Sequence, residues 1–110
     1  MAKKITIPYG NKTYTLEFTR KTASALERNG FVIGEIGEKP VTMIPMLFRG
    51  AFLANHSTAK SETVDKIYEG LRNRTALVEV LVEMYYDAYA TLLDGDEDAD
   101  EGNPGWAVAE

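Results

Sequence analysis

Residues 75–93, TALVEVLVEMYYDAYATLL, form the longest regular pattern in this chain of 110 residues. At about 100° per residue, the apolar side chains of this stretch share one half of a helical wheel. They are Leu77, Val78, Leu81, Val82, Met84, Tyr85, Ala88, Tyr89, Leu92 and Leu93. Glu79, Glu83, Asp87 and Asp94 fall on the opposite side. The pattern predicts a long amphipathic helix, and an apolar surface of that width needs two or more packing partners.

Length, cysteine content and charge limit the class of protein. The length suits a single domain, and the absence of cysteine excludes disulfides and a thiol nucleophile. Residues 1–93 carry ten acidic and twelve basic side chains, a net charge of +2, whereas residues 94–110 carry seven acidic side chains and no basic one. A nearly neutral body argues against nucleic acid as the main ligand. Without a signal-like or membrane-length apolar run, we expect a cytoplasmic location.

The N-terminal residues predict a β-hairpin with one apolar side. Apolar side chains alternate on both sides of the turn sequence at residues 10–13, GNKT. A turn centred on Asn11 and Lys12 gives a register of three facing pairs: Tyr9 with Tyr14, Ile7 with Leu16, and Ile5 with Phe18. Pro8 cannot donate a hydrogen bond, so its strand should lie at an edge or direct that position outward. Residues 31–33 could add a short third strand.

Residues 41–56, VTMIPMLFRGAFLANH, predict a second distinctive helix. Thr42 is the expected cap, and Pro45 is tolerated in a first helical turn. Apolar side chains point almost all the way round, and Arg49 is the only charge. Such a helix must be covered on every side. Either it is the buried centre of the fold, or part of its Met- and Phe-rich surface is held for another chain.

Two shorter helices complete the prediction. One covers residues 23–29, with Thr22 as N-cap, Leu26 in the core and Gly30 as a left-handed stop. The other begins at the N-cap Ser61 and carries an apolar stripe of Val64, Ile67, Tyr68 and Leu71. We therefore predict an α+β fold in which an N-terminal antiparallel hairpin, of two or three strands, packs against about four helices. Residues 1–93 form that domain, and residues 94–110 form a disordered acidic tail.

No pattern of catalytic or metal-binding residues emerges. Asp94, Asp96, Asp98 and Asp100 resemble the start of a calcium loop, but the required glycine and glutamate positions hold Ala99 and Gly105. His56 is the only histidine and has no cysteine or second histidine to act with, which favours a structural role. Glu79, Glu83 and Asp87 form a solvated face. We expect no catalytic residue, metal or cofactor.

Aromatic and methionine side chains are the better candidates for contacts with other molecules. Tyr85 and Tyr89 lie within the apolar half of the long helix, which favours core packing. Tyr86 lies at the edge of that half, and Trp106 is the only tryptophan and lies outside the predicted domain. The predicted partner-binding residues are Met43, Met46, Phe48, Phe52, Met84, Tyr86 and Trp106.

Short strings in a fixed order carry a family resemblance. They are YTLEF at 14–18, LE at 26–27 leading to GF at 30–31, KP at 39–40, LFRGAF at 47–52 ending at His56, and LVEMY at 81–85. With the charged tail, this layout resembles the tail assembly chaperones encoded in the tail modules of long-tailed bacteriophages and prophages. The likeness spans most of residues 5–93.

The resemblance implies a non-enzymatic function in the host cytoplasm. Such proteins coat the long apolar helices of the tape-measure protein, keep it soluble and recruit tail-tube subunits to it. A homo-oligomer is compatible with this reading, because the chain has surplus apolar helix surface and adaptable methionines. The alternative is an acidic decoy or inhibitor that imitates nucleic acid through residues 94–101.

Overall fold

The computed structural model describes residues 3–94 and 107–109, without the side chain of Asp94. Its regular elements are, in chain order, β1 (Ile5–Tyr9), β2 (Lys12–Leu16), α1 (Arg20–Arg28), a 3₁₀ turn (Ile33–Glu35), α2 (Pro40–Ala51), α3 (Ser61–Gly70) and α4 (Arg74–Asp94). A two-stranded antiparallel hairpin followed by four helices confirms the predicted α+β fold. Within these described residues, no helix is long and apolar enough to cross a membrane.

The α2 helix is the buried centre of the fold. It contacts α1, α3, α4 and the 3₁₀ turn, and these elements cover it on several sides. Its inward side chains include Met43, Leu47 and Phe48, each at most 5% exposed. Leu47 and Phe48 join one continuous core with residues from the hairpin and the other three helices. A nearly all-apolar helix is stable here because its neighbours leave little of it in water.

Two details of α2 correct the sequence prediction. The helix begins at Pro40 and follows the N-cap Lys39, so the expected cap Thr42 lies inside the first turn. Proline suits the first helical position because its missing N–H has no partner there. Pro45 therefore lies inside the helix rather than in its first turn. The helix ends at Ala51, and residues 52–60 form turns rather than a continuation to residue 56.

Capping of α1 also differs from the prediction. Thr22 is not the N-cap; the cap is Thr19, three residues earlier. The Thr19 hydroxyl accepts from the Thr22 N–H at 3.1 Å, and the Thr22 hydroxyl accepts from the Thr19 N–H at 2.9 Å. This reciprocal capping box uses threonine where glutamate is commoner, which hid it from the sequence pattern. Gly30, with a φ of 97°, confirms the predicted left-handed stop.

The hairpin register is two residues away from the prediction. Ile5 faces Leu16 and Ile7 faces Tyr14, because the loop consists of Gly10 and Asn11 alone. Gly10 has a φ of 63°, and glycine as the first of two loop residues suits a type II′ turn. A slip of two residues keeps every side chain on its predicted face, so Ile7, Tyr14 and Leu16 remain buried.

The suggested third strand is wrong. Ile33 begins the 3₁₀ turn, and residues 31–32 have no regular structure. Phe31 is nevertheless 1% exposed, and its ring centroid lies 5.2 Å from that of Tyr85 in α4. The apolar character of this stretch therefore serves core packing rather than strand pairing.

The α3 helix begins one residue before its predicted start: Lys60 occupies the N-cap position, and Ser61 is the first helical residue.

Replacing Leu81 by alanine should lower the free energy of unfolding by about 2–5 kcal/mol, because Leu81 is fully buried and the change leaves a cavity. Leu93→Ala in the same helix is the matched control, since Leu93 is 76% exposed. It should change stability by less than about 0.5 kcal/mol. Chemical denaturation of both variants measures the contrast, and equal effects would contradict the assigned orientation of α4.

An ion pair joins α2 to α3 at the surface. The Arg49 guanidinium donates two hydrogen bonds to the Asp65 carboxylate, at 3.0 Å from Nε and 2.8 Å from Nη2. These bonds lower the pKa of the Asp65 carboxyl, with partial burial opposing and charge attraction adding. Both side chains are nearly half exposed, so water and salt screen the pair.

Asp65→Asn should lower the free energy of unfolding at pH 7 by at most about 1 kcal/mol. Because folding lowers the pKa of Asp65, its contribution is complete above the ordinary aspartate pKa of about 3.9. It disappears as the pH falls through the lower folded pKa. Thermal unfolding of wild type and variant against pH should therefore converge in acid. A difference that persists at the lowest pH would show that the aspartate acts through something other than its charge.

Candidate interaction surfaces

The second half of α4 carries apolar side chains on two different faces. Leu81, Met84, Tyr85 and Ala88 point into the core and are at most 6% exposed. Tyr85 packs edge-on against Phe18 at a centroid distance of 5.6 Å, and burial raises the pKa of its hydroxyl. The second face adjoins the core face on the helix surface and is exposed to solvent. The apolar half of the helix is therefore wider than the surface that the rest of the domain buries.

We define the α4 stripe as Tyr86, Tyr89, Leu92 and Leu93. Their exposed fractions are 48%, 49%, 61% and 76%. Tyr86, Tyr89 and Leu93 are spaced by three and four residues, so they fall within an arc of about 60° on the helix. Such spacing is that of a helix–helix seam, in which apolar side chains recur every three or four residues.

Acidic side chains border the α4 stripe. Glu79, Glu83 and Asp87 lie on the adjoining face and are exposed. The Lys3 ammonium pairs with the Glu83 carboxylate at 2.6 Å, which raises the pKa of Lys3 and ties the start of the hairpin to this edge of α4. Lys3 also attracts the nearby Asp87 carboxylate without forming an ion pair with it, so Glu79 and Asp87 remain as the unpaired negative charges beside the stripe within the described residues.

The structure describes six of the seven predicted partner-binding residues and separates them into three groups. Met43, Phe48, Phe52 and Met84 are at most 5% exposed and belong to the core, so they present no surface. Met46 is partly buried against that core. Tyr86 is half exposed and belongs to the α4 stripe. Trp106 lies outside the described residues.

Sequence reasoning missed part of the stripe. Tyr89, Leu92 and Leu93 fall on the apolar half of the wheel, and core packing was favoured for Tyr89, yet all three are exposed. Periodicity gives the direction of a side chain but not the point along the helix where its neighbours end. The length of the predicted helix could have indicated this exposure. About 20 helical residues span about 30 Å, the diameter of a small domain, so the end of such a helix reaches the edge of the packed core.

The single histidine has a structural contact. The backbone N–H of Thr15 in β2 donates to His56 Nε2 at 2.9 Å, and the Thr15 carbonyl accepts from Asn55 Nδ2 at 3.2 Å. The Glu17 N–H donates to the carbonyl of Ala51 at 3.0 Å. Residues 51–56 therefore close the outer edge of β2 as a third strand would, using two side chains and one carbonyl.

The sequence offered His56 and the acidic residues as the candidates for a metal site or catalysis. Among them, no group of three or more His, Asp or Glu side chains could hold a metal ion. His56 uses Nε2 as an acceptor for a backbone N–H and stacks edge-on against Tyr14 at a centroid distance of 4.9 Å. The calcium-like series that begins at Asp94 lies outside the description, apart from the backbone of Asp94 itself.

Replacing His56 by alanine should leave the Thr15 N–H without an acceptor and lower the free energy of unfolding by about 1–3 kcal/mol. Hydrogen exchange at the Thr15 amide should accelerate at the same time. His56→Gln is the control, because its side-chain oxygen can still accept and should restore part of the loss. Unchanged Thr15 exchange in the alanine variant would refute the role of His56 in closing the strand edge.

Comparison with known proteins identifies a family without a known activity. The model of a family described as Domain of unknown function (DUF5055) matches residues 1–109, so the chain belongs to that family. No curated protein and no solved structure is significantly similar to it.

Proposed function

We propose that this protein is a non-catalytic assembly chaperone of a bacteriophage or prophage tail module. In this proposal it binds apolar helical segments of the tape-measure protein in the host cytoplasm and presents them to tail-tube subunits. The layout of short strings along residues 5–93 suggests the class of function. The α4 stripe is the single structural observation that supports it.

The stripe has the geometry that binding to a helix requires. Tyr86, Tyr89 and Leu93 lie along one line of the helix surface and are half to three-quarters exposed. Tyrosine suits such a surface because its ring contributes apolar area while its hydroxyl tolerates water before the partner arrives. A partner helix with apolar residues every three or four positions can pack along this line, as in helix-in-groove recognition.

Charge defines the partner further. The exposed carboxylates of Glu79 and Asp87 border the stripe on one side. A partner helix therefore needs Lys or Arg beside its apolar residues, because acidic residues at those positions would be repelled by Glu79 and Asp87. This complementarity selects basic amphipathic segments within a tape-measure protein over acidic ones.

Chaperone activity in this proposal needs no catalytic group. The protein competes with self-association of the apolar tape-measure helices by covering them, so the gain in solubility depends on apolar area and charge rather than on a reaction.

Co-expression with the tape-measure protein of the same gene cluster tests the proposal. Wild-type protein should keep the tape-measure protein soluble and co-purify with it. The Tyr86→Ser/Tyr89→Ser double variant should lose at least tenfold in affinity, because both apolar anchors are removed. Tyr9→Ser is the matched control: Tyr9 is 42% exposed but lies in the hairpin, so binding should be unchanged.

Two results would oppose the proposal. If the double variant solubilises the tape-measure protein as well as wild type does, the α4 stripe is not the binding surface. If light scattering shows that the double variant has lost only a homo-oligomer while partner binding persists, the stripe is a contact between copies of this chain. Denaturation of each variant verifies that the fold is retained.

A further inference from the structure

A polar pocket lies where the hairpin turn meets the α2–α3 connection, and none of its lining residues belongs to α4. Its volume is about 340 Å³. The side chains relevant to binding are Lys12, His56, Ser57, Thr58, Lys60 and Thr63. No carboxylate lines the pocket within the described residues, so its wall carries positive charge and hydroxyl groups.

The two lysines keep their charge available. Among the ion pairs formed by the described residues, none includes Lys12 or Lys60. Glu17, the carboxylate behind the wall, accepts from Asn55 Nδ2 at 2.9 Å and lies 3.9 Å from Lys4 Nζ. Two cations on one concave wall, without a carboxylate among them, attract an anion more strongly than isolated surface lysines do.

His56 also lines the pocket and brings one ring N–H to it. Its Nε2 accepts from the Thr15 N–H, so the neutral ring carries its proton on Nδ1. Ser57, Thr58 and Thr63 supply hydroxyl donors around the same space. An oxyanion with several acceptor oxygens can use these donors together, and charge-assisted hydrogen bonds are the stronger kind.

We propose that this pocket binds a dianionic oxyanion of the phosphate class, as the free ion or as a small phosphomonoester. Two lysines match its charge near pH 7, and the hydroxyl and imidazole donors match its three or four oxygens. A carboxylate ligand has one charge and two oxygens, so some of the lysine, hydroxyl and imidazole donors in the pocket would form no hydrogen bond with it. The pocket shares no residue with the α4 stripe, so this proposal can be tested separately from the proposed chaperone function.

Titration of the full-length protein followed by amide NMR tests the proposal. The probes are inorganic phosphate and glycerol 3-phosphate, each added at constant ionic strength, with chloride as the reference anion. The amide signals of Lys12 and residues 57–63 should shift and saturate. Tighter binding of glycerol 3-phosphate would assign the pocket to a phosphomonoester, and equal affinity would assign it to the free ion.

Substitutions make the test specific. Lys60→Gln and Lys12→Gln should each weaken binding at least threefold, and the double variant should abolish it. Lys66→Gln is the matched control, because Lys66 is an exposed α3 lysine outside the pocket. The proposal is overturned if Lys60→Gln binds like wild type, or if phosphate shifts are non-saturating and spread over all lysines as with chloride. Unchanged amide signals elsewhere in each variant verify folding.

Discussion

Everything else in this fold depends on the need to cover α2. A helix with apolar side chains on most of its circumference is unstable in water, and its burial is favoured by about 25 cal/mol for each Å² of apolar surface removed. The chain meets this need by placing α1, α3, α4 and the 3₁₀ turn against it. The elements before and after α2 in the sequence therefore pack around this one helix.

The hairpin is secured to the same helix through aromatic contacts and backbone hydrogen bonds. Phe52, which follows α2, lies 5.5 Å from Tyr14 and 5.2 Å from Phe48 between ring centroids. The next four residues bring Asn55 and His56 alongside β2, where they satisfy the backbone of Thr15. An isolated two-stranded hairpin is marginal in water, so this attachment is what allows a two-stranded sheet to persist.

Properties set by local pattern could be predicted from the sequence, whereas those set by neighbours could not. The class of fold, the left-handed Gly30 and the core direction of Leu26 and Leu81 follow from spacing and residue type. The predicted hairpin register was wrong because the turn was placed one residue too far along, although glycine as the first of two loop residues is itself a signal for a type II′ turn at Gly10 and Asn11.

The interaction surfaces show the same division. Tyr86 was identifiable from its place at the edge of the apolar half of the wheel, whereas exposure of Tyr89, Leu92 and Leu93 depends on where the packed body ends along α4. The pocket beside the hairpin joins Lys12 to residues 56–63, which are more than 40 positions away in sequence. No short sequence motif could predict this proximity, because it depends on how the segment after α2 returns to β2.

Closure of the β2 edge has a consequence for recognition. The Thr15 N–H points away from β1, and alternation along an antiparallel pair means that the position of Pro8 also points outward from β2. One edge of the sheet is therefore occupied by residues 51–56, and the other lacks a donor at Pro8. The β2 edge is therefore closed to an incoming strand and the β1 edge has one donor fewer, which makes this small sheet a weaker template for β-augmentation.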